Sequence, residues 1–453
     1  MRTALLLRGR RRSIASAALL LVAAGCRTLS PGSHAAPASP DPHRIQRDID
    51  YLADDRLEGR GTGTAGNDSA AAFIAHRDAM LGLRPLSVDT ARVECRSASP
   101  NASCGTYLQR FVARGAELAH AGRPEGVATQ NVVALVPGRD PALSGQYVVI
   151  GAHFDHLGRS TNGAMDPEAG NAIRNGADDN ASGAAAVLEL ARLLAAHPTR
   201  RSIVIVHFSG EELGLLGSQW FVEHPPVPLD SVDAMLNFDM VGRLKNDRLI
   251  VYGVSTATEL PGIVQGANTA PAFDLKAVGD GYGPSDQSSF YAKGIPVLHF
   301  FTDLHEDYHR ATDDASKIDS VGAARVVAMA GRVVRDIADR DARLTPVRVA
   351  APAPTMSSSS GQGSNVYLGS IPDMSGGDEP GLRLSGVRAG SPADVGGLKA
   401  GDVIVEFGGK VVKDLYSYSD ALYAHQPGDK VAVVYLRNGE RRTTTITLGA
   451  RGQ

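Results

Sequence analysis

The chain has 453 residues, 43% hydrophobic and 21% charged, a globular composition long enough for two or three domains. Its formal net charge of -3 argues against nucleic acid as a partner, because nucleic-acid binders carry strongly basic domains. Three cysteines, Cys26, Cys95 and Cys104, are too few for a disulfide scaffold and are spaced for no zinc finger.

The N-terminus is basic, with Arg8, Arg10, Arg11 and Arg12, and residues 13–24 are small and apolar. A basic region followed by an apolar stretch too short to span a bilayer is the pattern of an export signal. It ends Val22-Ala23-Ala24-Gly25-Cys26, small residues leading into a cysteine, which resembles a bacterial lipobox. On that reading residues 1–26 are removed up to Cys26, which carries lipid and is the only attachment to a membrane. An ordinary cleaved signal peptide is the alternative. Either one predicts export, to the periplasm, the outer membrane or the medium. Arg11-Arg12 suggests twin-arginine export, although a basic leading region is the commoner explanation. Export permits disulfides. With Cys26 lipidated, Cys95 and Cys104 remain, bracketing the polar residues 96–103, and a disulfide stapling a surface loop is predicted.

Residues 27–42 are rich in Pro, Ala and Ser and read as a tether; residues 43–342 read as one domain. Ile45, Ile49, Leu52 and Leu57 begin an amphipathic pattern that leads into the glycine-rich run Gly59 to Gly66. That run lacks the Lys-Ser/Thr ending of a phosphate-binding loop and follows no clear strand. Residues 68–83 have helical spacing. Strands are predicted at residues 131–136, 147–151, 202–208, 234–238 and 294–300, with helices at 183–196, 213–223 and 318–338. The run Ile203-Val204-Ile205-Val206 is continuously apolar, as in buried parallel strands. Strands alternating with helices predict an α/β fold, a doubly wound, mostly parallel sheet with helices on both faces.

Ligands in such sheets sit beyond the carboxyl ends of the strands. Those ends carry His153, Asp155 and His156; Glu211 and Glu212; Asp239; and His305, Glu306, Asp307 and His309. Any one set alone is an ordinary solvated loop. Together with Asp178-Asp179 at a helix start they point to a metal centre. Zinc takes imidazole and carboxylate ligands and keeps a position for water at a catalytic site.

Five ordered motifs make a more specific match: Ala152-His153-Phe154-Asp155, residues 177–183 (Ala-Asp-Asp-Asn-Ala-Ser-Gly), Ser209-Gly210-Glu211-Glu212-Leu213-Gly214, Asn237-Phe238-Asp239-Met240, and Tyr308-His309 followed by Asp313-Asp314. Through them residues 43–341 resemble the di-zinc aminopeptidase family that includes secreted leucine-type aminopeptidases and glutamate carboxypeptidases. The resemblance implies two Zn²⁺ per chain and peptide substrates. His153 and Asp239 hold one zinc, Glu212 and His309 the other, and Asp179 bridges them, with a cis bond to Asn180. Glu211 is the general base, Asp155 orients His153, and Tyr308 donates to the developing oxyanion or simply packs. Ser285-Asp286-Gln287 aligns with a stretch that usually reads Ser-Asp-His; Asp286 is taken as a pocket residue, and Gln287 departs from the pattern. His156, His207, His299 and His305 are read as structural, with His305 the stand-in for His309. A carboxypeptidase or glutaminyl-cyclase-like enzyme on the same fold, or a non-catalytic binding protein, are the competing functions.

Residues 343–363 are a Pro-, Ala- and Ser-rich linker. Residues 364–450 follow with short strands around residues 390–404 (Gly-Ser-Pro-Ala-Asp-Val-Gly-Gly-Leu-Lys-Ala-Gly-Asp-Val-Ile), and resemble a PDZ domain of the bacterial protease type. The resemblance implies a small β-rich module that holds peptide C-termini on the loop Tyr367-Leu368-Gly369-Ser370 beside a groove helix at 414–424. A docking module without a free peptide ligand is the alternative.

Overall fold

In the computed structural model, which describes residues 39–88, 105–114, 123, 125–161, 163–281, 283, 285–347, 366–372, 381–387, 390–413, 417–418, 421–422 and 424–450, the apolar runs build a mixed sheet. Its strands are β1 (Arg84–Pro85), β4 (Leu108–Ala113), β5 (Val127–Val136), β6 (Tyr147–His153), β7 (Ser202–Phe208), β8 (Val232–Phe238), β9 (Arg248–Tyr252), β10 (Asp274–Ala277) and β11 (Val297–Phe301). A separate ribbon pairs β2 (Ser87–Val88) with β3 (Gly105–Thr106). The order is β1-β5-β7-β6-β8-β11-β9-β10, with β4 beside β5. The centre, β7-β6-β8-β11, is parallel. β5 joins β7 antiparallel and β9 joins β11 antiparallel, so antiparallel joins flank the parallel centre that carries the site, and β10 lies parallel to β9 at the edge.

Alternate side chains of each central strand enter two cores. Ile203 and Ile205 face a core shared with α1 (Pro42–Leu52), α2 (Ala65–Met80), α3 (Gly183–Ala196), α5 (Leu260–Ala267) and α7 (Ser320–Asp339). Val204, Val206 and Phe208 face the other, where Phe221 of α4 (Leu216–Glu223) and Phe290 of α6 (Gln287–Ala292) pack. This two-sided burial explains the unbroken apolar runs. Strands β4 and β9 are not predicted: β4 is mixed in polarity, and β9 has only a three-residue apolar centre, Leu249-Ile250-Val251. The predicted helix start at Asp178-Asp179 is instead an irregular turn, residues 177–182, in which Asp179 and Asn180 have non-helical backbone and their peptide bond is cis; the regular helix begins at Gly183.

The C-terminal module has β12 (Val366–Tyr367), β13 (Ser370–Pro372), β14 (Leu382–Val387), α8 (Pro392–Val395), β15 (Val403–Phe407), β16 (Lys410–Val411), β17 (Lys430–Arg437), β18 (Glu440–Thr447) and β19 (Gly449–Ala450). Its main sheet is antiparallel and encloses its own core around Phe407, Leu398 and Val433. Of the groove helix, residues 417–418 and 421–422 are described and helical. Cys26, Cys95 and Cys104, the predicted export signal, residues 27–38 of the predicted tether and residues 348–363 of the predicted linker lie outside the described residues. No helix among the described residues is long and apolar enough to cross a membrane.

Candidate metal centre

Three parallel strands end at one rim. β6 delivers His153 at its last position, β7 runs through Ser209-Gly210 to Glu211 and Glu212, and β8 is followed at once by Asp239. The turn before α3 contributes Asp179, and the loop after β11 contributes Tyr308 and His309. Gly176 opens the Asp179 turn at φ +57°. A Cβ there would lie 2.1 Å from the Asp179 carbonyl oxygen and against the His156 ring, so only glycine fits.

Asp179 stands between two histidines. Its Oδ1 lies 3.4 Å from His153 Nε2, which is also 3.4 Å from Asp239 Oδ1. Its Oδ2 lies 3.0 Å from His309 Nε2, which is 3.2 Å from Glu212 Oε2. The far nitrogens are committed. His153 Nδ1 donates to the Asp155 carbonyl oxygen at 3.2 Å, and His309 Nδ1 donates to the Gly163 carbonyl oxygen at 2.9 Å. In the neutral ring each Nε2 is therefore a lone pair facing two carboxylate oxygens. Such a set repels itself unless a proton or a cation lies between. Asp239 Oδ1 is buried and accepts no hydrogen bond. Two imidazoles and three carboxylates aimed inward in this way fit zinc.

The electrostatics agree. Burial alone would lower the His153 pKa, but the Asp239 and Glu211 carboxylates drive it well above the usual value. For His309, burial is likewise outweighed, chiefly by Glu212 and Asp179. Burial would raise Asp179, yet its hydrogen bonds with the two histidines hold it well below the carboxylate range. Glu212 goes to about 2 against its own burial, under the pull of His309 and His156. Glu211 moves the other way. Burial, then the neighbouring charges of Glu212, Asp286 and Asp239, push its pKa well up in spite of His153. It is the one carboxyl of the set poised to hold a proton.

Asp155, expected to orient His153 through its carboxylate, does so through its backbone. The carboxylate is 3.8 Å from His153 Nδ1, farther than the carbonyl. Its oxygens accept instead from Thr62 Oγ1 at 2.8 Å and from the Glu211 amide at 3.2 Å. Asp286 is fully buried, and burial raises its pKa to about 7 against the pull of the Ser218 hydroxyl beside it. Its neighbour Ser285 reaches the centre, donating to Asp239 Oδ2 at 2.7 Å. Gln287 Oε1 lies 3.2 Å from the Asn237 amide nitrogen.

His305 does not join the centre; its Nε2 donates to Asp178 Oδ2 at 3.1 Å. His207 Nε2 donates to the Ala184 carbonyl at 3.1 Å inside the core. His156, read as structural, lies closer to the chemistry than its spacing suggested. Its Nδ1 is 2.8 Å from Glu212 Oε1 and 3.8 Å from Asp179 Oδ2. The available signal was its position three residues past His153 on one loop. Asp313 is a second such case. Its Oδ2 accepts the amides of Asp178 and Asp179 at 2.9 and 3.1 Å, clamping the turn that carries Asp179.

A pocket opens over the centre. Asp179, Glu211 and Asp239 form its polar floor, and Met240, Phe301 and Leu304 an apolar wall. Tyr308 lines it, with its ring stacked on His309 at 3.9 Å between centroids. Burial and the surrounding carboxylates keep the Tyr308 phenol well above its usual pKa, so the hydroxyl remains a donor. His299 completes the wall, and burial lowers its pKa to about 4.

In the second module Tyr367 ends β12 and Ser370 begins β13, an edge of its sheet among the described residues. Between them Leu368 is buried and Gly369 sits at φ +81°, where a Cβ would strike Ser391 Cβ at 2.2 Å. The Ser370 and Tyr418 hydroxyls are hydrogen-bonded at 2.6 Å.

Residues 131–334 match the family model of peptidase family M28, and residues 366–448 that of the PDZ domain. Leucine aminopeptidase 1 of Trichophyton equinum is 33% identical over 183 residues, 37% of this chain and 45% of that protein. Leupeptin-inactivating enzyme 1 of Streptomyces exfoliatus is 31% identical over 216 residues, 47% of this chain and 42% of that protein. The chain thus spans less than half the length of these two curated relatives. A solved zinc aminopeptidase from Bacillus subtilis shares the fold, with a TM-score of 0.51 at 18% identity over 67% of this chain and 96% of that one.

Proposed function

We propose that the chain, whose residues 131–334 match peptidase family M28 and residues 366–448 the PDZ domain, is an exported zinc aminopeptidase that removes N-terminal residues from peptides. The observation that carries the proposal is the pair of Nε2 lone pairs at His153 and His309, each facing two carboxylate oxygens and sharing Asp179. His153 and Asp239 would hold one zinc, His309 and Glu212 the second, and Asp179 both. Zinc bound there supplies Lewis acidity and a water of lowered pKa.

The chain's own residues do the rest. Glu211, with its raised pKa and its place on the pocket floor, takes the proton of the attacking water and returns it to the leaving amine. Tyr308 donates from the pocket wall to the oxygen that becomes negative. His156 and Asp313 keep Glu212 and the Asp179 turn in place. The carboxylates of the floor attract a free α-ammonium group, and the lining residues include no Lys or Arg that would pair with a substrate carboxylate. This favours the aminopeptidase over the carboxypeptidase reading.

Residues 43–342 would be the peptidase domain and 364–450 the PDZ module, holding peptide C-termini at Tyr367 to Ser370. Export, lipid on Cys26 and a Cys95–Cys104 disulfide belong to the same proposal, from the sequence pattern alone.

The test is hydrolysis of aminoacyl anilides by the full chain lacking residues 1–26, with zinc content measured in parallel. Cleavage that a chelator abolishes and zinc restores, with about two zincs bound, is the expected result. Zinc binding without cleavage of any N-terminal residue would rule out the aminopeptidase. A protein that neither binds zinc nor cleaves would leave a binding protein on a peptidase scaffold.

A further inference from the structure

One polar group in the pocket has no part in this mechanism. His299, on β11, lines the pocket next to Asp239 and Ser285 and is 5% exposed. Its Nδ1 lies 3.2 Å from the side-chain amide nitrogen of Asn237, whose two hydrogens it shares with Ser285 Oγ and Gln287 Oε1. The amide orientation is locked from below. Ser285 must donate its hydrogen to Asp239 Oδ2, at 2.7 Å, so its oxygen accepts from the Asn237 amide nitrogen at 2.8 Å. An amide nitrogen only donates. A hydrogen on His299 Nδ1 would point at the amide hydrogens, so Nδ1 is the lone pair and Nε2 carries the hydrogen. Nε2 meets no protein acceptor among the described residues. The ring stands between Tyr252 and Phe301, with centroid separations of 5.6 and 5.9 Å. The result is a fixed N–H donor in the pocket wall beside the apolar side chains of Met240, Phe301 and Leu304.

We propose that His299 is a specificity-determining residue that admits N-terminal side chains ending in a neutral hydrogen-bond acceptor, asparagine and glutamine foremost, alongside the aliphatic ones of the same shape. This rests on the aminopeptidase reading. A purely apolar pocket discriminates strongly against a carboxamide, because the amide leaves water and finds no partner. A positioned donor restores one hydrogen bond and removes most of that discrimination. Acidic side chains also carry acceptors, but they would approach the Glu211 and Asp239 carboxylates and are disfavoured.

The test compares asparagine with leucine, which are nearly isosteric, and glutamine with methionine, as N-terminal residues of anilide substrates. In the zinc-loaded full chain, kcat/KM for asparagine should lie within about tenfold of that for leucine. In His299→Phe, which keeps a ring and removes the donor, the gap between asparagine and leucine should widen to about 100-fold or more. His299→Gln, which restores an N–H of similar reach, should narrow it again. Binding of asparagine hydroxamate against leucine hydroxamate to the same proteins, read by calorimetry, should follow the same ratios and needs no turnover. A wild-type gap of 100-fold or more in both readouts would overturn the proposal, as would a His299→Phe variant that slows all substrates equally. Normal hydroxamate ratios with no anilide cleavage would support the pocket assignment and reject the peptidase reading.

Discussion

The Glu211 amide donates to Asp155 Oδ1 across 3.2 Å, so the loop that follows one strand fixes the backbone of the loop that follows its neighbour. β6 and β7 are paired in parallel up to His153 and Phe208, and this contact continues their coupling past the end of the sheet. Thr62, from the glycine-rich run before α2, holds the other Asp155 oxygen at 2.8 Å. Asp155 therefore ties together His153, through its carbonyl, and the proposed general base Glu211, through its carboxylate.

Asp155→Asn should separate these functions. An amide replaces one acceptor with a donor: with its oxygen kept on the Glu211 N–H, Thr62 must turn from donor to acceptor, and the negative charge beside His153 is lost. Turnover is expected to fall about 10- to 100-fold while zinc content stays unchanged, since the Asp155 carbonyl is untouched. Steady-state kinetics beside zinc analysis check this, and loss of zinc would refute it.

Glu211→Gln keeps the shape of the base and removes its proton-accepting ability. Turnover should fall by roughly 10²- to 10⁴-fold, with both zincs retained. Asp179→Ala should lose zinc and activity together, because Asp179 alone faces both histidines. Full activity in Glu211→Gln would remove that residue from the reaction.

Asp78 should make stability fall as pH rises. It lies in α2, fully buried, with neither carboxylate oxygen hydrogen-bonded, and burial raises its pKa from 3.8 to about 8. The folded state thus binds this proton more tightly than the unfolded state. Its favourable contribution is complete below pH 4 and is lost progressively as pH climbs through 8, a cost of roughly 4 kcal/mol at pH 7. Asp78→Asn should remove that slope and raise the urea midpoint at pH 8 but not at pH 4.

Arg60 should be needed for stability far beyond its place in a flexible-looking run. It is fully buried at φ +53°, and it donates to the carbonyls of Leu52, Phe154, Asn175 and Gly176. It has no carboxylate within ion-pair distance among the described residues, and burial lowers its pKa to about 10, so it stays charged at neutral pH. Arg60→Met strands the buried carbonyls of Leu52, Phe154 and Asn175, while Gly176 keeps the Ala181 N–H, and should cost roughly 3 kcal/mol or more. Arg60→Lys should recover only part, since an ammonium cannot span the same fork. Denaturant unfolding of the zinc-loaded protein reads both.

Much of this protein is visible in its linear order. The unbroken apolar run at Ile203 to Val206 predicts a strand covered on two faces because burial on both sides forbids polar alternation. His153, Glu211, Glu212 and Asp239 follow strands closely, so the direction of the chain alone brings them to one rim. The Pro- and Ser-rich segment near residue 350 marks a change of module because such a composition cannot bury a core. Other features depend on contacts between segments far apart in the chain. The antiparallel flanks of the sheet, the Asp155 carboxylate turning to the Glu211 amide, His156 on Glu212, and the donor that His299 presents through Asn237 and Ser285 each join elements tens of residues apart. Local pattern sets which face of an element is apolar. Which polar atom meets which is set only when several elements pack, because a hydrogen bond is decided by tenths of an ångström and by the partner left unsatisfied.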